Sequence, residues 1–432
     1  MGLTRLIFFM CGQLGIMVLT RFFFQWLIDF CSQPIPTISG EGSALLSASL
    51  VGATLLGFRI FDGVTDPVVG SMTDRWVQRG KERRDLLWYT APLPAIGMTL
   101  CFVPSIDHSP ELRWVILILG LLLFFVGYTL YAIPYWSLIG EYSQGDEEQR
   151  GKLSTLLGVG LLIATTIGFI ITPKLIESLG YLYAATLISV ASIPLMIAPY
   201  FAAPDQKNVT PTLQQPSHDL GGAKEQALAL LSAFKNRRFM AVICLFAGSQ
   251  MSFTVMTAAA PFIATDLLGG TRADVALILG PLLAIALPAS ILIPIINQKL
   301  GWERGVSIAC LGLACVYLGA GGLGITVISS PLVTAALLFA LGGPMVAILL
   351  GLEGEAISAC AEESSGGLGM YFGVYNLIIK GANGIAIAIT AVLAEQARNG
   401  DPWQVKLMGM SAGAMLLLGL ISYVMLKPKA TT

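Results

Sequence analysis

Charge is scarce in this chain. Only 12% of its 432 residues are Asp, Glu, Lys or Arg, about half of the roughly 25% found in a soluble domain. It has two histidines, His108 and His218, too few for a histidine-based metal centre. The seven cysteines form no CxxC pair and fall mostly in apolar stretches, where a thiol packs as a small hydrophobe. No HExxH, no GxxxxGK[ST] loop and no Ser-His-Asp constellation is legible, so the chain reads as a non-enzyme with no cofactor. A net charge of −1 gives nucleic acid nothing to hold. No polar stretch is long enough to fold as a soluble catalytic domain.

What is abundant is hydrophobicity, 55% of the residues, with a mean hydropathy of +0.76. Twelve apolar segments reach the roughly 20 residues that a membrane-crossing helix needs. They lie near 5–29, 43–70, 86–104, 112–138, 153–173, 181–203, 239–264, 273–295, 304–325, 331–352, 370–394 and 404–426. The first is too long for a signal peptide and lacks a small-residue cleavage site, so it reads as a true span. The fold class expected is an all-α integral membrane protein with two six-helix bundles, 1–203 and 239–432. Between them, 204–238 reads as a linker holding an interfacial helix over 224–234.

Lys and Arg set the orientation. With the N-terminus inside, the inner segments hold seventeen of them, including Arg75, Arg79, Lys81, Arg83 and Arg84, and the outer segments hold five. Both termini are therefore expected in the cytoplasm, in a bacterial-type inner membrane.

Against that background the run Arg59-Ile60-Phe61-Asp62-Gly63-Val64-Thr65-Asp66-Pro67 stands out. A charge at mid-bilayer costs roughly 2.5–3.5 kcal/mol on insertion scales. Spacings of three, four and seven put Arg59, Asp62 and Asp66 on one helix face. One positive and two negative charges leave a deficit of one, which suits a monovalent cation.

Three motifs carry a family resemblance. Gly70-Ser71-Met72-Thr73-Asp74-Arg75, followed by Arg79 and Lys81, resembles the loop signature of the major facilitator superfamily. The 59–67 run with Gly70 resembles the second-span motif of the glycoside-pentoside-hexuronide cation symporters within it. Tyr128-Thr129-Leu130-Tyr131-Ala132-Ile133-Pro134-Tyr135-Trp136 is similar to that family's fourth span, and Asn376-Leu377-Ile378-Ile379-Lys380-Gly381 to its eleventh, which carries a membrane-embedded lysine.

The resemblance implies a symporter coupled to Na+ or H+, with a cation site at Asp62, Asp66, Thr65 and Thr129. Hard oxygen donors suit sodium, while a carboxyl in an apolar site can also hold a proton. Lys380 brings the sum with Arg59, Asp62 and Asp66 to zero. It is expected to pair with an aspartate until a cation displaces it.

The sugar side of the pattern is altered. Ala132 stands where sugar carriers place an acid, and the stretch 153–158 has no arginine, so an amphiphile or less polar solute gains weight. The expected cavity residues are Trp136, Tyr128, Arg21, Gln25, Gln250, Tyr375 and Asn376. Arg21 reads either as an anion partner or as an indirect partner of Asp29. Asp74, Arg75, Arg79 and Glu141 are expected in a gate, with Glu141 pairing Arg75 or Arg150. Glu353, Glu355, Glu362 and Glu363 read as a solvated loop in preference to a gate pairing with the basic 75–84 loop. The expected partners are a small-molecule solute, the coupling cation and membrane lipid, with the chain working as a monomer. An uncoupled facilitator or exporter of a lipid-like solute, and a non-transporting assembly factor, are the competing readings.

Overall fold

The structure, a computed structural model, describes residues 1–35, 43–204, 236–324, 330–362, 368–401 and 403–427. The interfacial helix expected over 224–234 and the acid Glu363 lie outside the described residues.

The described chain is almost wholly helical. In order, α1 is Leu3–Cys31, α2 Ala48–Gln78, α3 Leu86–Thr90, α4 Pro92–Cys101, α5 Pro110–Ser143, α6 Glu147–Thr166, α7 Thr172–Leu179 and α8 Tyr181–Ile197. The second half has α9 Arg237–Phe262, α10 Val275–Ala289, α11 Ile293–Gly319, α12 Pro331–Glu362, α13 Leu368–Arg398 and α14 Trp403–Leu426. A two-residue antiparallel ladder, β1 Pro34–Ile35 with β2 Ser43–Ala44, closes the loop after α1. Polar residues start the helices where the apolar runs begin. Ser47, Ser109, Asp146 and Asn236 each accept a hydrogen bond from a backbone N–H of the first turn.

Among the described residues, ten stretches are long and apolar enough to cross a membrane. One of them, Arg272–Gly322, has 51 residues, more than twice the length a bilayer accepts. It reverses at Gly301, whose φ of 72° and ψ of 157° suit glycine alone, and so forms two legs. The crossing expected over 86–104 is built from α3 and α4 because Pro92 has no N–H to continue the ladder. It runs antiparallel to α5. A Cβ on Gly127 would meet Leu93 and Pro94, one on Gly97 would meet Phe124, and one on Gly120 would meet Cys101. With these two readings the twelve expected crossings are present in order. Two of them carry a π-helical turn, at Ile167–Ile171 after α6 and at Ile263–Leu267 after α9.

Among the contacts between the halves in the described residues, two bear most on the site. The first is the contact of α2 with α13, which also runs antiparallel. A Cβ on Gly52 would lie 2.4 Å from Ala391, one on Gly384 would strike Leu56 and Arg59, and one on Gly63 would strike Leu377. Lipid offers helices no hydrophobic gain on association, so this close approach of small residues supplies dispersion contact instead.

The second is a polar seam at the end of the bundle opposite the 79–84 loop. Asp29 of α1 is fully buried. It accepts from Arg398 and Tyr181, and from Arg272 Nε at 3.3 Å. Arg398 also reaches Ser32 Oγ at 2.7 Å, the Asp29 carbonyl at 3.0 Å and Asp266 at 3.3 Å. Nearby, Glu395 accepts from Ser47 Oγ at 2.9 Å and from Ser49 N at 2.6 Å. At the other end the ion pairs among the described residues stay within one half: Arg83 with Asp74 and Glu141, Lys152 with Glu148, and Arg238 and Lys427 with Glu303. Among the described residues, the ion pairs at the ends of the bundle that cross between the halves lie at this one face.

Removing one partner of a buried pair leaves an unpaired charge and destabilises by about 3–5 kcal/mol. In purified protein lacking its native cysteines, a Ser32→Cys reporter should react slowly with a maleimide. Adding Arg398→Gln should raise that rate by about tenfold or more, because loss of a buried partner is worth that much. Equal rates would show that the seam does not hold this face shut.

Candidate functional site

The charged run of α2 faces α13, and the site forms where the two meet. Asp62 is fully buried. Its Oδ1 accepts from Thr129 Oγ1 of α5 at 2.7 Å. Its Oδ2 lies 3.0 Å from Lys380 Nζ and 3.4 Å from Arg59 Nη1. Asp66 Oδ2 lies 2.5 Å from the same Lys380 Nζ. A single ammonium from the second half therefore sits between the two carboxylates of the first. At about 3 Å and an effective dielectric near 20, each such pair attracts by about 5–6 kcal/mol. Desolvation offsets much of this, so the arrangement persists because all members are paired.

Arg59 is held differently. Its guanidinium lies 4.7 Å from the ring centre of Phe24, and its Nε meets no hydrogen-bond partner among the described residues. The quadrupole of Phe24 partly replaces the missing solvation. Thr65 makes its hydrogen bond within α2. Its hydroxyl donates to the backbone carbonyl of Asp62 at 3.1 Å, a local bond within its own helix. The structure thus brings together Asp62, Asp66, Thr129, Arg59 and Lys380, and leaves Thr65 on its own backbone.

The expected cavity residues fall into three groups. Trp136 donates its indole N–H to Gln13 Oε1 at 2.9 Å and lies edge-on to Tyr128 with ring centres 6.4 Å apart. Arg21 donates through Nε to Thr165 Oγ1 at 3.1 Å and lies 5.3 Å from the ring centre of Phe253 in the other half. Gln25, one turn further along α1, is fully buried, and neither atom of its amide has a partner among the described residues. In the second half, Gln250 donates to both oxygens of Glu353, at 3.1 and 2.9 Å, and Tyr375 donates to Oε1 of the same carboxylate. Asn376 is exposed and joins none of these groups.

Several expectations are corrected. Glu353 and Glu355 do not lie in a solvated loop. Helix α12 continues through them to Glu362, because Leu352, Ala356, Ile357 and Cys360 keep an apolar stripe of helical period buried against the bundle. Glu355 accepts from Asn297 Nδ2 at 2.7 and 2.6 Å. Arg21 does not pair with Asp29, whose acceptors are taken by Arg272, Arg398 and Tyr181. Glu141 meets neither Arg75 nor Arg150. Arg83 bridges it to Asp74, at 2.7 and 3.0 Å, so the expected gate residues Asp74 and Glu141 are joined within one half. Arg75 and Arg79 are exposed on the last turn and cap of α2.

Glu353 and the Asp29 seam were missed from the sequence. The period of the apolar residues beyond 352 signalled that Glu353 lies on a buried helix. The seam joins residues 369 positions apart and leaves no local signal.

The chain is similar to YagG of Escherichia coli, a candidate glycoside/cation symporter, at 25% identity over 173 residues, 37% of this chain and 36% of that protein. It is similar to YjmB of Bacillus subtilis, described as an uncharacterized symporter, at 28% identity over 136 residues, 31% of this chain and 29% of that one. The matched stretches thus span about a third of the length of each relative. Among solved structures, the nucleoside transporter NupG superposes with a TM-score of 0.65 at 15% identity, covering 99% of this chain and 100% of that one. A structure from work on proton-dependent oligopeptide transporters superposes at 0.63 and 14%, covering 98% of each. These two likenesses show the fold that the chain shares with them. The family profile for MFS/sugar transport proteins matches residues 8–425, and the chain belongs to that family.

Proposed function

We propose that the protein is a secondary active transporter that couples entry of a monovalent cation, Na+ or H+, to symport of a small organic solute by alternating access. One observation carries the coupling. Lys380 of the second half occupies the space between Asp62 and Asp66 of the first. A cation that binds the two carboxylates with the Thr129 hydroxyl takes over that charge balance and releases the lysine. Since Asp62 and Asp66 lie on α2 and Lys380 on α13, the exchange acts on a contact that joins the halves. The names of the two curated relatives, both called symporters, support the same reading.

The basic 75–84 loop and both termini are assigned to the cytoplasm, in a bacterial-type inner membrane. The chain divides for movement near the 204–238 linker. With the charged seam shut at the opposite face, the state described corresponds to closure toward the outside. Trp136, Tyr128, Arg21, Gln25, Gln250 and Tyr375 then line the path between the halves, and the protein works as a monomer in lipid.

Lys380→Ala removes the competitor and leaves two carboxylates facing each other. In low salt the variant should melt earlier, by the equivalent of about 3–5 kcal/mol. Its apparent affinity for the coupling ion should rise by about tenfold or more, since the ion no longer displaces a buried partner. Thermal melting against sodium, lithium and pH reads both effects; unchanged cation affinity would end the exchange mechanism. Asp62→Asn and Asp66→Asn test the site from the other side. Each should abolish cation-dependent stabilisation, and in liposomes should abolish gradient-driven solute uptake while counterflow persists. Replacing a sodium gradient by a pH gradient in the unmodified protein names the ion. Uptake indifferent to both gradients would reject coupling.

A further inference from the structure

Arg21 is a cation without an acid. Among the described residues no carboxylate lies within ion-pair distance of it; its contacts are one neutral hydroxyl, Thr165 Oγ1, and the face of Phe253. Asp29 is fully committed to Arg398, Arg272 and Tyr181. The hydrogen bond to Thr165 uses only Nε, so the two terminal nitrogens, which form the bidentate fork of a guanidinium, make no hydrogen bond to another described residue.

Gln25 is the second, independent sign. Its amide is fully buried with both atoms unpartnered, a condition that native interiors rarely tolerate without a partner in some state of the molecule. Arg21 and Gln25 lie one turn apart on α1 and face the same glycine. A Cβ built on Gly168 would meet Arg21 Cβ at 2.8 Å and lie 4.0 Å from Gln25 Oε1. Gly168 belongs to the π-helical turn Ile167–Ile171, and such turns recur at functional sites. Phe253, whose ring lies 6.0 Å from that of Phe169, closes the spot from the opposite half.

We propose that Arg21 and Gln25 form the binding site for a carboxylate group of the transported solute. The guanidinium fork receives the two oxygens and the Gln25 amide nitrogen adds a third donor. A single positive charge matches a monoanion and under-compensates a phosphate dianion, which favours the carboxylate. The apolar faces of Phe253 and Phe169 receive the adjoining carbon skeleton. Because Arg21 already touches Phe253 across the divide, a solute held here contacts both halves at once. The assignment rests on the symport reading but names the solute class independently of the coupling ion.

Binding is measured by thermal shift and calorimetry on the purified protein with matched probes. Hydrocinnamate is set against 3-phenylpropanol, glucuronate against glucose, and inorganic phosphate serves as the dianion. At least one carboxylate should bind while its neutral partner and phosphate do not. Arg21→Gln should weaken that binding by about tenfold or more, the worth of a charge-assisted pair of hydrogen bonds. Gln25→Leu should weaken it as well while raising the melting temperature without ligand, because it removes unpaired polar atoms from an apolar site; a purely structural role for Gln25 predicts the reverse. Three results would overturn the site: no response to either carboxylate, equal response to the neutral partners or to phosphate, or unchanged carboxylate binding in Arg21→Gln. Repeating the titration with and without sodium and across pH separates the two readings. Carboxylate binding that depends on Arg21 but ignores both ions removes coupling and keeps the site.

Discussion

A charge in the middle of a membrane-length helix needs a counter-charge, and here part of it comes from the other half of the molecule. Asp62 and Asp66 cannot both be satisfied on α2, because Arg59 reaches only Asp62, at 3.4 Å. Lys380 completes the balance. The small residues Gly52, Gly63 and Gly384 are then required, since they bring α2 and α13 close enough for a lysine side chain to span the gap. Chemistry and packing at this contact are therefore one constraint. A bulkier residue at any of these glycines would move the lysine away from the carboxylates as surely as it would separate the helices.

The seam at Asp29 and the Lys380 contact play different parts. At the seam, Asp29 meets Arg272, Arg398 and Tyr181, and Arg398 also meets Asp266, so two acids and two arginines are locked together at one end of the bundle. At Lys380, Asp62 and Asp66 share one ammonium, with Arg59 at 3.4 Å from Asp62. Both clusters balance two cations against two acids. They differ in place: the seam lies at the end of the bundle, whereas the Lys380 contact lies within the spans, where an unpaired charge costs more.

Much of this was legible in the sequence. The helix periodicity and the charge spacing of 59–66 put Arg59, Asp62 and Asp66 on one face, and the neutral sum pointed to Lys380 before any distance was known. Thr129 followed from the family resemblance and was found on Asp62. Thr65 donates its hydroxyl hydrogen to the Asp62 carbonyl of its own helix, a local bond that the spacing alone does not announce. Glu353 was misjudged because acidic residues were read as the end of a span, although the apolar stripe continued to Cys360. Arg83 was counted only as a loop charge, and nothing local distinguishes it from Arg75 or Arg79. The Asp29 seam depends on tertiary assembly over hundreds of residues, which single-sequence patterns do not encode.

The charges near the middle of the described spans also divide evenly. The first half holds Arg21 and Arg59 against Asp62 and Asp66, and the second holds Lys380 against Glu353. Each half is neutral by itself, so breaking the Lys380 contact during a rocking movement leaves neither half with net charge in the low-dielectric region. The same count constrains loading. A monovalent cation at Asp62 and Asp66 adds one positive charge to the first half, and a carboxylate at Arg21 cancels it within that half. Loaded and empty carriers would then present the membrane with the same total, which is the condition under which both can cross between states at similar cost. A neutral solute would leave the loaded form one charge heavier. Under the proposed symport, the coupling ion and the solute's charge would be selected together, through Lys380 and Arg21.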